Sequence, residues 1–186
     1  MEINEMKIYV ADLQDYNSGL LYGKWFNLED FEDASELQEA VEEMLQASPN
    51  YKEDVAGGYG EHEEWAIHDF ELPWKISECE GFEAIYTVFN VYKEALENYE
   101  MEVIQSFIDW LSEDVEEGMV AKMDERYAGT YKDRSDWAYE YMSDCMEVPE
   151  HLENYIDYDA FARDAECGDM YFDQVDHETC ICWRNC

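Results

Sequence analysis

Acidic residues recur along this chain from end to end, and that pattern limits the fold more than any motif does. Among 186 residues, 48 are Asp or Glu and 11 are Lys or Arg, a formal charge of −37. Residues 1–60 hold 14 acidic groups against 3 basic ones, residues 61–118 hold 17 against 2, and residues 119–186 hold 17 against 6. The repulsion cannot be set aside in one acidic tail. Each element of a folded core must carry its carboxylates on an outer face.

Leu28 to Leu45, LEDFEDASELQEAVEEML, shows the pattern at its most concentrated. Eight of its eighteen residues are acidic (Glu29, Asp30, Glu32, Asp33, Glu36, Glu39, Glu42 and Glu43) and none is basic. Like charges at i,i+4 spacing destabilise a helix. High net charge with low hydrophobicity signals disorder, but here 47% of residues are hydrophobic and 16% aromatic. The composition describes a folded protein with an acidic skin.

Three units follow along the chain. Lys7 to Asp12 (KIYVAD), Leu21 to Phe26 (LYGKWF) and Glu63 to Glu71 (EEWAIHDFE) read as strands. Between the last two, Asp33 is placed to cap a helix, with Glu36 as its capping-box partner. Leu37, Ala40, Val41, Met44 and Leu45 share one helical face, which turns Glu36, Glu39, Glu42 and Glu43 outward. Pro49 closes that segment, and Ala56 to Glu61 reads as a flexible connection. In the middle, Phe82, Ile85, Tyr86, Phe89 and Leu96 predict one helix, and Met101, Ile104, Phe107, Ile108 and Leu111 another. Further on, SDWAYEYMSDCM and YIDYDAFARDAE predict helices, the second ended by Gly168 as a C-cap glycine. MYFDQ and TCICWR predict strands. The fold class is α+β, in three small domains: residues 1–72 (a small antiparallel sheet plus a helix), 73–118 (helical) and 119–186 (mixed α/β).

Catalytic constellations are absent from the sequence. There is no Gly-rich phosphate loop and no Cys-x-x-Cys, and His62 and His68 stand six apart rather than at the four-residue spacing of a zinc-protease helix. His68, within a strand, reads as a packed core residue. His177, Cys180, Cys182 and Cys186 include a Cys-x-Cys whose side chains share one strand face, which is compatible with a soft metal. No second pair at matching spacing accompanies them, so they read as reduced or surface thiols. No catalytic, cofactor or metal residue is expected. The start MEINEMKIYV has neither the basic nor the apolar region of a signal peptide, and no apolar run reaches the ~18 residues of a membrane span. A cytoplasmic protein with no membrane partner is expected.

A charge of magnitude about 2–8 is enough to keep a small domain soluble. The excess here points to a strongly basic partner. A DNA duplex carries one negative charge per about 1.7 Å of axis, so two copies of this chain match the charge on roughly 125 Å of duplex. Carboxylates on helix faces can stand where phosphates stand. The candidate surface comprises the eight residues above together with Glu94, Glu97, Glu100, Glu102, Glu113, Asp114, Glu116, Glu117, Asp124, Glu125, Asp136 and Glu140. Such a protein would bind a DNA-binding protein and not nucleic acid. The alternative is an acidic adaptor or sequestering module for basic DNA-binding proteins generally. The aromatic segment Tyr127 to Tyr141 holds more apolar material than a short exposed segment needs, so Tyr127, Tyr131, Trp137 and Tyr141 are candidates for a homodimer contact.

MKIYVADLQDYNSGLLYGKWF, EEWAIHDFE, RYAGTYKDRSDWAYEYM and YIDYDAFARDA resemble, in order and spacing, the ArdA family of antirestriction proteins. The resemblance runs from Met6 to about Phe172. It implies a DNA mimic encoded by a mobile element, without catalytic activity. It also implies three small domains per chain and an elongated, curved, acidic homodimer that occupies the DNA site of a Type I restriction–modification enzyme. Lys132 and Arg134 interrupt the acidity where the family has its antirestriction motif.

Overall fold

The computed structural model describes residues 2–112, 115–146, 148–149 and 151–185. Of the candidate acidic residues, Glu113 and Asp114 lie outside them, as does Cys186 among the cysteines. The protein is mixed α+β, with eight α-helices and two three-stranded antiparallel sheets among the described residues. Its contacts gather it into two compact units, residues 1–101 with 115–117, and residues 102–114 with 118–186.

The first unit is built on strand β1 (Lys7–Asp12), which lies between β2 (Gly23–Asn27) and β3 (Trp65–Glu71). Ile8 and Val10 are fully buried, while Lys7 and Tyr9 alternate to the outer face. There Tyr9 meets its registered partner Trp25, ring centroids 5.6 Å apart, the kind of cross-strand pair that stabilises a two-stranded contact. β2 begins two residues later than the sequence suggests, and Leu21 is left exposed. Gly23 is required there, because a Cβ would lie 2.4 Å from the Val10 carbonyl oxygen. In register, Tyr9 faces Asp69 and Val10 faces Ile67, so His68 is the extra residue of a β-bulge. That overturns the reading of His68 as a core residue. The residue is exposed at the bulge, while its side chain is 22% exposed, with the ring edge-on to Tyr16 at 4.8 Å and Nε2 3.7 Å from the Glu78 carboxylate.

Helices α1 (Leu13–Asn17), α2 (Ala34–Gln46), α3 (Tyr51–Gly57) and α4 (Phe82–Leu96) complete this unit. Asp33 caps α2 by accepting from the N–H groups of Ser35 and Glu36. Glu36 does not return the bond to Asp33. Its carboxylate accepts instead from the Glu32 N–H, 2.8 Å away. Leu37, Val41, Met44 and Leu45 are buried along α2, and α2 packs on α4, whose Ile85, Tyr86 and Phe89 are buried. Tyr86 donates its hydroxyl to the Leu28 carbonyl at 3.0 Å. The expected flexible connection begins as the end of α3, which Gly58 closes in the left-handed conformation at φ 81°.

The second unit contains α5 (Met101–Leu111), α6 (Met119–Arg126), α7 (Arg134–Cys145) and α8 (Tyr158–Glu166), with strands β4 (Tyr127–Tyr131), β5 (Met170–Gln174) and β6 (Cys180–Arg184). β6 is the central strand, in the order β4-β6-β5. It does not alternate between buried and exposed, because both of its faces are covered. Ile181 and Trp183 are fully buried, and Trp183 meets α5, donating its indole N–H to Ser106 Oγ at 3.1 Å and lying 4.9 Å from the Phe107 ring. Cys180 and Cys182 point the other way, into a core with Trp137, Ala138 and Ala162 of α7 and α8. Gly168 stands directly after the C-cap Cys167, the position expected of it, but it does not adopt the left-handed conformation that usually goes with that position.

Candidate functional site

The eight acidic residues of 28–45 form one outward-facing group. Glu29 and Asp30 lie on a single 3-10 turn, Leu28–Asp30, and Glu32 and Asp33 lead into α2. Glu36, Glu39, Glu42 and Glu43 lie on the side of α2 opposite its buried stripe, and all eight are exposed. Among the described residues, no Lys or Arg forms an ion pair with any of them. The partners they do have are local, as where Gln38 donates to Glu42 at 2.9 Å. A 13-residue helix is about 20 Å long. It bears four carboxylates, where one DNA strand carries about six phosphates over the same rise.

Local stability does not account for this placement. The C-terminal end of a helix carries partial negative charge, and an anion there costs about 0.3–1 kcal/mol. Glu42 and Glu43 stand at that end of α2, whose last turn has no basic residue. Glu94 and Glu97 stand at the same end of α4. The field reaches inward as well. Burial, reinforced by the charges of Asp33, Glu36 and Asp30, pushes the Tyr86 hydroxyl up to about 12.

The other candidate carboxylates are carried by several elements. Glu94 and Glu97 end α4, while Glu100 precedes α5 and Glu102 opens it. Glu116 and Glu117 precede α6, Asp124 and Glu125 lie on α6, and Asp136 and Glu140 on α7. All are exposed except Asp136, which is half-buried and accepts from the Lys132 N–H at 3.3 Å. Arg134 is bound within its own unit, 2.8 Å from Asp159 and 3.1 Å from Glu166. The guanidinium beside it holds the Asp159 carboxyl below the usual range. Arg134 therefore ties α7 to α8 and offsets little of the surface charge.

The aromatic candidates divide by depth. Trp137 is buried, and Tyr131 packs against the same core. Tyr127 is half-buried, 5.4 Å from the Trp183 ring. Tyr141 stacks on Trp137 at 5.2 Å and stays exposed, like Tyr139. The cysteine reading needs a correction: Cys180 and Cys182 are core residues and not surface thiols, because α7 and α8 cover the strand face they share. The hydrogen bond with the adjacent Cys180 sulfur, and after it burial, push the Cys182 thiol up. His177 is exposed in the turn after β5.

One polar cluster went unread in the sequence. Asp12, Asp15 and His62 are all buried. Asp12 Oδ1 caps α1, accepting from the N–H groups of Gln14 and Asp15, and Asp12 Oδ2 meets His62 Nδ1. Asp15 accepts from Ser48 Oγ at 2.6 Å and Asn50 Nδ2 at 2.8 Å. These three residues lie close enough to surround a cation, but their oxygens already face N–H and O–H donors, which a cation would have to displace. The cluster reads as a hydrogen-bonded part of the fold. A sequence signal existed only for Asp12, whose position before Leu13 is that of an N-cap.

The fold and this surface define an acidic α+β protein whose exposed chemistry is that of carboxylates. A family model described as antirestriction protein (ArdA) matches residues 8–178. The chain belongs to the ArdA family of antirestriction proteins. No curated protein matches it. Among the described residues, no helix is long and apolar enough to cross a membrane.

Proposed function

We propose that this antirestriction protein is a stoichiometric DNA mimic that occupies the DNA-binding site of a Type I restriction–modification enzyme. Its carboxylates take the place of phosphates against the enzyme's Lys and Arg side chains. The observation that carries this reading is the placement of Glu36, Glu39, Glu42 and Glu43. They are exposed, mutually repelling and set partly against the dipole of their own helix, without basic partners among the described residues. A positive cleft reverses the sign of each of those penalties. The protein works in the cytoplasm as a homodimer that includes the exposed aromatics beside Trp137, performs no catalysis and comes from a mobile element that must survive restriction.

The test is cleavage of unmodified DNA by a purified Type I enzyme with increasing amounts of the protein. Inhibition that saturates near one dimer per DNA site supports the proposal. Undiminished cleavage at large molar excess refutes it. Equal inhibition of unrelated basic DNA-binding proteins would favour a general sequestering module.

A further inference from the structure

His62 lies between two carboxylates. Nδ1 is bound to Asp12 Oδ2, and Nε2 is 3.0 Å from Asp54 Oδ2. An ionised carboxylate only accepts hydrogen bonds, and a neutral imidazole has one N–H and one lone pair. Both bonds exist together only when both ring nitrogens carry protons. We propose that His62 is a protonated clasp that pins α3 to the end of β1 and the start of α1, and that loss of one ring proton releases α3.

The asymmetry of the cluster decides which side gives way. Asp12 is fully buried and held by the two N–H groups it caps. The Asp54 side chain is 23% exposed and sits on α3, a seven-residue helix with no buried residue. Besides His62, Gln14 Nε2 holds Asp54, at 3.0 Å. A lone pair on Nε2 facing the Asp54 carboxylate is repulsive, and water can solvate Asp54 once α3 moves away. The other groups around the ring are Asp15 from α1, Tyr51 from α3 with its ring at 5.4 Å, and Glu42, Glu61 and Glu63 around a cavity of about 330 Å³ shared with His62. Tyr22, held to the Met44 carbonyl, also feels the charges of Asp12 and Asp15. Apart from the two tyrosines, these groups are carboxylates, and together they favour the imidazolium. Burial opposes the charge on His62, but the bonds to Asp12 and Asp54 outweigh it and raise its pKa above the ordinary 6.5.

Asp54→Asn separates this clasp from ordinary packing. His62 Nε2 and Gln14 Nε2 both meet Asp54 Oδ2, so an Asn with its amide nitrogen in that position can donate one N–H to a neutral Nε2 and the other to the Gln14 side-chain oxygen once that amide turns over, and the variant holds α3 without the second ring proton. Two readouts are needed, both on the full chain. Nitrogen-15 NMR of the His62 ring at pH 6.5 should show both nitrogens protonated in the parent. Trypsin cleavage at exposed Lys52 in α3, corrected for the enzyme's own pH profile, should quicken with rising pH by up to about tenfold per unit, the limit for one linked proton. In Asp54→Asn that slope should flatten, with α3 protected throughout. A singly protonated ring in the parent at pH 6.5 would overturn the proposal. So would a slope that persists unchanged in Asp54→Asn.

Discussion

Replacing Glu36, Glu39, Glu42 and Glu43 together with Gln tests whether α2 acts as a row of phosphates. The replacement is nearly isosteric, and a Gln oxygen can still accept from the Glu32 N–H and from Gln38, where Glu36 and Glu42 accept now. Within the helix it removes the like-charge pairs 36/39, 39/42 and 39/43, each worth about 0.2–0.5 kcal/mol of repulsion. It also removes one favourable charge in the first turn, Glu36, worth about 0.3–1 kcal/mol. Removing Glu42 and Glu43 also lifts two unfavourable charges of about 0.3–1 kcal/mol each from the C-terminal end of α2, so the folded state should be stabilised by roughly 0–3 kcal/mol, at about 2–4 °C of melting shift per kcal/mol. Binding should move the other way. At about 0.5 kcal/mol per exposed contact, within the usual 0–1 range, four lost contacts weaken the complex by about 2 kcal/mol, or about 30-fold. Any one Gln alone should change affinity about twofold. The assay is a titration against a purified Type I enzyme at several salt concentrations, with circular dichroism as the folding control. A fourfold variant that binds within twofold of the parent, with the same salt dependence, would show that this face does not meet the enzyme.

Asp33→Ala removes the cap from Ser35 and Glu36 and should cost about 1 kcal/mol, read by chemical denaturation. Cys180→Ser and Cys182→Ser each place a hydroxyl in an apolar core and should destabilise by about 1–3 kcal/mol, more than the Ala variants do, while inhibition per folded molecule stays unchanged. Gly129→Ala should destabilise the second unit by about 1–3 kcal/mol, because φ is +118° and the new Cβ would lie 2.8 Å from the Tyr131 ring. The raised pKa of His62 means that its contribution to stability is complete below about pH 6.5 and is lost as pH rises through the higher folded value. The stability difference between the parent and Asp54→Asn should therefore shift against the parent as pH increases, and an unchanging difference would contradict that sign.

Elements that bury a regular stripe were legible in the sequence, and those fixed by a single contact were not. The apolar spacing of Leu37, Val41 and Met44, or of Phe82, Ile85 and Phe89, records a packed face directly. The short helices α1 and α3 bury no apolar stripe, and α1 depends on the Asp12 side chain, while α6 buries Met119, Val120 and Met123 in a stripe too short to stand out as a period. β4 passed as an aromatic contact segment, because its glycine and its bulge at Ala128 break the alternation. His68 misled for a related reason: the bulge that ejects it belongs to the pairing of β1 with β3, which local sequence does not record. The acidic face was the most legible part of the surface, since a carboxylate goes inward only where donors meet it, as they do at Asp12 and Asp15. The His62 cluster was the least legible, because it joins residues 12, 15, 48, 50, 54 and 62 through hydrogen bonds that follow no period.

The central claim is that the protein and DNA occupy one site, and direct competition measures it. A fluorescent duplex containing the recognition sequence is bound to a purified Type I enzyme, and the protein is titrated in. Mimicry predicts complete displacement, with the apparent affinity for the duplex falling in proportion to added protein and no species that contains both. A stable complex of enzyme, duplex and protein together, or undiminished duplex affinity while the protein is bound, would contradict it.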